Sequence, residues 1–119
     1  VFLSLFDRVV SPVATEYAPD LILISAGYDA HREDPLAGLA LESEDFGQMT
    51  VEVGELAKRL GAPVGAVLEG GYAPVALAES VEATMRALGG AGESAVAPET
   101  AVGEDAAARV SAYWPAVRQ

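Results

Sequence analysis

The chain has 119 residues, 51% of them hydrophobic and none of them cysteine. It can bury roughly two-thirds of its unfolded surface as one small domain, without disulfide or thiol chemistry. Its 18 acidic against 7 basic residues give a formal charge of -11, a surface that repels a phosphate backbone and argues against nucleic-acid binding.

No apolar run approaches the roughly 20 residues that cross a bilayer, and the first residues, VFLSLFDRVV, lack the charged leader of a signal peptide. The expectation is a cytoplasmic protein without membrane contact. A first residue other than methionine suggests a piece of a longer protein.

From Phe2 to about Ala18, apolar positions Phe2, Leu5, Phe6, Val9, Val10 and Val13 recur at helical spacing, with Asp7, Arg8 and Glu16 between them. Pro12 should kink this amphipathic helix or restart it, giving a broken helix, because proline removes a backbone donor and crowds the preceding turn. Pro19 and Asp20 mark a boundary. Leu21 to Ala26 is then continuously apolar apart from Ser25, the pattern of a strand buried on both faces of a parallel sheet.

Gly27 lets the chain turn, and Tyr28 to Leu41 reads as a functional loop, charged at His31, Arg32, Glu33 and Asp34 and stiffened by Pro35. Ser43, Glu44 and Asp45 open a helix, Ser43 offering a hydroxyl as cap. Phe46, Met49, Val53, Leu56, Ala57 and Leu60 continue it, and Gly61 stops it ahead of Pro63. Val64 to Leu68 is a second buried strand, so Leu21 to Gly70 forms a right-handed strand, helix, strand crossover with both strand ends on one rim.

After Pro74, a helix from about Val75 to Leu88 carries Leu77, Val81, Thr84, Met85 and Leu88 on one face. Residues 91–103 are small and polar and read as a loop. Residues 104–119 hold a last helix, with Val110, Tyr113 and Trp114 docking onto the body.

The candidate chemistry lies at the strand ends. Asp29 is the first ionisable residue beyond the first strand, where open parallel sheets bind their ligands. It reads either as a turn cap or as a metal ligand or acid at a pocket mouth. His31, the only histidine, would share a face with Asp29 in an extended segment, but two adjacent side chains do not complete a catalytic zinc site. A hydrogen-bonded loop histidine is the expected reading. Asp34 reads as an acceptor of backbone N–H groups, Leu36 as a small core or loop anchor, and Glu69 as either buried and paired or exposed. Gly70 and Gly71 leave the backbone free to line a narrow channel beside Tyr72, which reads as a half-buried aromatic or as a phenol aimed at a reacting carbonyl.

Together, SAGYDAHREDPLAG after one strand and LEGGY after the next resemble the carboxyl-terminal part of the zinc-dependent histone deacetylase superfamily. The likeness runs from about Asp7 to Leu88 and looks nearest to class II enzymes and their bacterial relatives, the acetoin-utilisation proteins and acetylpolyamine amidohydrolases. It implies an α/β fold, part of an arginase/deacetylase-type parallel sheet with flanking helices in three α/β/α layers. It also implies Asp29 as a zinc ligand, Tyr72 as the residue steadying the oxyanion, and Leu36, Gly70 and Gly71 as walls of the acyl-lysine channel. The implied reaction is hydrolysis of an N-acetyl amide of acetyl-lysine or acetylpolyamine type.

The family commonly has asparagine after the tyrosine, where this chain has Ala73 and Pro74. The family's other two zinc ligands, an Asp-x-His pair, and its paired histidine base lie upstream. A chain with a single histidine cannot contain them, so the expected partner is the remaining N-terminal part of the domain, and the isolated chain is expected to be inactive. Two alternatives stay open. One is a non-catalytic α/β binding or regulatory module derived from that fold. The other is an arginase-like hydrolase, disfavoured because the clustered acids and histidines of a two-metal site are missing.

Overall fold

A computed structural model describes residues 1–118. In chain order the elements are α1 (Phe2–Leu5), a π-helical segment (Phe6–Val10), α2 (Ser11–Tyr17), β1 (Ile22–Ala26), α3 (Ser43–Leu60), β2 (Val64–Leu68), α4 (Pro74–Leu88), α5 (Ala101–Val110) and a 3-10 turn (Pro115–Arg118). The chain forms two compact units where one was expected: Leu21–Ser94, and Val1–Asp20 together with the residues from Ala95 onward. Among the described residues no helix is long and apolar enough to cross a membrane.

In the unit built from the chain ends, the helix is interrupted ahead of Pro12 and restarts at Ser11, with the proline in the first turn of α2. The backbone widens into a π turn just before it, Ser11 N–H donating to the Phe6 carbonyl five residues back. A wider turn gives the proline ring room that a regular α turn would deny it. Ala18 then ends α2 in a left-handed conformation, φ 52°, its N–H donating to the Ala14 carbonyl, and Pro19 follows where the helix cannot continue.

The last helix starts at Ala101, three residues ahead of Glu104, because Thr100 caps it by accepting from Gly103 N–H at 3.1 Å. Thr100 also donates to Ser4 Oγ at 2.9 Å. Helix α5 thereby comes so close to α1 that a Cβ on Gly103 would sit 2.2 Å from Ser4 Oγ. The buried residues here are Ser4, Gly103, Ala107 and Val117, whereas Tyr113, expected to dock, is 83% exposed. The tyrosine falls just beyond the end of α5, on a turn rather than on its packed face.

In the central unit β1 and β2 pair in parallel, Ile22 opposite Val64 through Ala26 opposite Leu68, joined by α3. Ile22, Ile24 and Ala26 point inward, while the outer face leaves Leu23 and Val67 exposed. Under the inner face Ala26, Tyr28 and Phe46 form the core, with Ile24, Met49, Leu77 and Val81 packed against it. The rings of Tyr28 and Phe46 meet edge to face, centroids 5.1 Å apart, a geometry that adds about 0.5–1.5 kcal/mol to simple burial.

Helix α3 occupies the expected span and stops at Gly61, φ 66°. Its cap differs from expectation. Glu42 is the N-cap and its N–H donates to Asp45 Oδ2 at 2.7 Å, so the Ser43 hydroxyl is free to act elsewhere. Helix α4 keeps part of its expected stripe, with Thr84 buried and Leu77 and Val81 packed on the core, but its other buried positions are Ala76 and Ser80, and Met85 is exposed. Small residues bring α3 and α4 close, to the point that a Cβ on Gly47 would lie 3.2 Å from that of Ala83.

Gly103→Ala should destabilise the chain. Alanine in place of glycine gains up to about 1 kcal/mol of helix propensity, but overpacking costs roughly 1–3 kcal/mol. Urea unfolding should show a lower midpoint, partly restored when Ser4→Ala removes the obstructing oxygen; a raised midpoint for Gly103→Ala alone would contradict the close approach.

Candidate functional site

The two strand-end segments are laced together beyond the sheet. Glu69 N–H donates to the Ala26 carbonyl at 3.0 Å, and Tyr28 N–H donates to the Gly70 carbonyl at 2.8 Å. Each bond prolongs the parallel ladder by a residue or two, so residues that follow β1 and β2 leave the sheet side by side. The expected common rim exists.

Asp29 sits in a notch made by glycines from both segments. A Cβ on Gly70 would lie 3.3 Å from Asp29 Cγ, and one on Gly27 would lie 3.2 Å from Asp29 Oδ1. The carboxylate is half-buried, and among the described residues no hydrogen bond or ion pair engages it. The turn-cap reading of Asp29 therefore lacks its hydrogen bonds. A half-buried carboxylate held against two bare backbones can still accept a cation from its open side. Among the described residues no group of three or more His, Cys, Asp and Glu side chains gathers to hold a metal. Asp29 stands there as a single carboxylate.

His31 does not share a face with Asp29. The segment turns, with His31 N–H donating to the Tyr28 carbonyl at 3.2 Å and Asp34 N–H to the His31 carbonyl at 3.0 Å, and extended geometry is lost. The imidazole is 4% exposed. Its Nδ1 lies 3.1 Å from Glu33 N–H, and its Nε2 lies 3.2 Å from Ser43 Oγ. A backbone N–H can only donate, so Nδ1 is the bare nitrogen and Nε2–H donates to Ser43. Ser43 in turn receives a hydrogen bond from Ser80 at 3.3 Å and donates to Glu79 Oε2 at 3.5 Å. This buried polar chain ties the loop to α3 and α4. The hydroxyl that looked like a cap is its hub.

The rest of the loop is pinned at its ends. Leu41 N–H donates to the Ala30 carbonyl and Arg32 N–H to the Leu41 carbonyl, at 3.1 and 2.8 Å. Arg32 also pairs with Glu42 at 2.6 Å, and the carboxylate raises the guanidinium pKa above its ordinary value. Both partners are exposed, so the pair adds little stability.

Asp34 is the acceptor its position ahead of Pro35 suggested. Its Oδ1 accepts from Leu36 N–H at 2.9 Å, the local turn; its Oδ2 accepts from Tyr72 N–H at 2.8 Å, across the rim. The second bond was not legible, because it joins residues 38 positions apart.

Leu36 is 69% exposed and anchors no core. Glu69 is exposed and accepts from Ser25 Oγ at 2.7 Å. Gly71 has φ 135°, a conformation that requires glycine, and a Cβ there would fall 2.8 Å from Leu77 Cδ1 and displace that side chain. Tyr72 is 57% exposed, beside an open apolar depression of about 570 Å³ lined by Leu68, Pro74, Leu77 and Val81. Ala73 and Pro74 do not displace it into the core: Ala73 is the N-cap of α4 and Pro74 its first residue, where a missing N–H and a fixed φ suit the helix.

This arrangement defines an α/β domain of the arginase/deacetylase type. Residues 1–88 match the family model of the histone deacetylase domain. The chain is 45% identical over 84 residues to histone deacetylase 10, chloroplastic, of Oryza sativa subsp. japonica, covering 70% of this chain and 19% of that protein. It is 41% identical over 100 residues to a probable deacetylase of Methanothermobacter thermautotrophicus, covering 84% of this chain and 28% of that one. The crystal structure of the HDA15 HD domain superposes with a TM-score of 0.79 at 28% identity, covering 98% of this chain and 32% of that chain. The chain belongs to the histone deacetylase family. It spans less than a third of the length of these relatives.

Ser43→Ala tests the polar chain. It strands His31 Nε2–H and the Ser80 hydroxyl, for which the expected loss is roughly 1–3 kcal/mol in urea unfolding. Unchanged stability would contradict the hub role and return Ser43 to the helix surface.

Proposed function

We propose that this chain is the carboxyl-terminal segment of a zinc-dependent deacetylase that hydrolyses N-acetyl amides of acetyl-lysine or acetylpolyamine type. The observation that carries the reading is the Asp29 carboxylate, unengaged among the described residues and cradled by Gly27 and Gly70, on the rim that also presents Tyr72. Family membership supports it. A carboxylate in this setting is suited to hold Zn²⁺, which when bound polarises the amide carbonyl and supplies a water nucleophile near neutral pH.

The chain's own residues do the rest of their share. The exposed Tyr72 phenol donates a hydrogen bond to the carbonyl oxygen as negative charge builds there. Gly70 and Gly71 keep the adjoining backbone free of side chains, so the acyl chain can pass close to it. Leu36, exposed on the neighbouring loop, lends an apolar wall.

A catalytic zinc site takes about three protein ligands and an open position, and Asp29 is one. The other ligands and the general base come from the preceding part of the same domain, and the isolated chain binds zinc weakly and hydrolyses nothing. A cytoplasmic location and kinship with bacterial class II-like enzymes belong to the same reading.

In the full-length protein, Asp29→Asn should lose bound zinc, measured by metal analysis, together with hydrolysis of an acetyl-lysine or acetylpolyamine substrate. Tyr72→Phe should keep its zinc and lower kcat by about 10²–10³-fold, the usual effect of removing one oxyanion donor. Full zinc content and parental kcat in either variant would sink the assigned role.

A further inference from the structure

We propose that Asp34 is a positioning residue for Tyr72, acting through the backbone; this rests on the role proposed above for Tyr72. Tyr72 follows two glycines, the second with φ 135° in a region open to few other residues, and its side chain is 57% exposed. More than half of the ring is in solvent, and the two glycines before it add no side-chain packing. The ladder that joins the strand ends stops at Gly70, and α4 begins at Pro74. Between those points the Tyr72 amide is held by a single carboxylate oxygen, Asp34 Oδ2 at 2.8 Å.

Asp34 suits that task. It is 7% exposed, so water competes little for its bonds, and hydrogen bonds to a charged acceptor are roughly twice as strong as neutral ones. Its other oxygen holds Leu36 N–H at 2.9 Å. One carboxylate therefore sets the spacing between the loop that carries Leu36 and the segment that carries the phenol. Asparagine is nearly the same shape but has one acceptor oxygen, and its amide N–H₂ would face one of the two backbone N–H groups. Asp34→Asn breaks the tether on one side without removing bulk.

The test uses the full-length protein with Tyr72→Phe as reference. Asp34→Asn should lower kcat about tenfold or more, with KM and zinc content within about twofold of the parent. In the Tyr72→Phe background the same change should cost less than about twofold, because two residues acting as one unit are not additive. Parental kcat in Asp34→Asn, or an equal loss in both backgrounds, would overturn the proposal. Parental kcat in Tyr72→Phe would instead sink the reading of Tyr72 on which it stands.

A second measurement does not depend on activity or on the variant folding. In the unaltered chain, NMR should detect a through-hydrogen-bond coupling between the Tyr72 amide nitrogen and the Asp34 carboxylate carbon, and slow exchange of that amide. A Tyr72 amide that exchanges freely and shows no coupling would overturn the tether itself.

Discussion

Parallel strands cannot be joined by a tight turn, and the crossover that joins them sends both chain segments out of the sheet at the same end. Here that constraint is carried past the strands by two backbone bonds, Glu69 N–H to Ala26 and Tyr28 N–H to Gly70. Gly27 and Gly70 leave the Asp29 carboxylate room beside the rim, since a Cβ on either would come within 3.2–3.3 Å of it. A larger residue at Gly70 would press the carboxylate out of its place.

Beneath the rim, packing is organised by small residues rather than by bulk. Gly47 against Ala83, and Ala76, Ser80 and Thr84 along α4, bring two helices close enough for Ser80, Ser43 and His31 to meet. That buried polar chain is fully satisfied, which is the condition under which such a network rigidifies a fold instead of weakening it. The consequence for the site is indirect. A loop with four charged residues near its start is held to the helical layer at His31 and to the second motif at Asp34, and the exposed tips of Leu36 and Tyr72 are presented from anchored backbones.

Much of this was legible in the sequence because it depends on local chemistry. Glycine after the apolar runs, Gly61 before Pro63, and proline after Gly-Gly-Tyr mark where elements stop and start, and the structure places them there. What was not legible depends on pairs distant in sequence. Ser43 has the composition of a cap, yet its hydroxyl is used by His31, because Glu42 and Asp45 serve the helix end between themselves. Met85 and Tyr113 look like core by hydropathy and are exposed, since the helices approach through alanine, serine and glycine faces that hydropathy does not single out. The early start of α5 was missed because Gly103 and Thr100 look like loop residues until Ser4 is placed beside them.

In the function proposed above, the notch at the strand ends is a metal position and Tyr72 faces the carbonyl acted on there. Membership of the histone deacetylase family supports it, as does the cradled carboxylate. The most direct measurement is a crystal structure of the full-length protein with zinc and an acetylated ligand, using anomalous scattering at the zinc edge. The account predicts an ion about 2.0–2.2 Å from an Asp29 oxygen, the usual zinc–carboxylate distance, with the Tyr72 hydroxyl on the ligand carbonyl. Zinc bound elsewhere, with Asp29 free of it, would contradict the account.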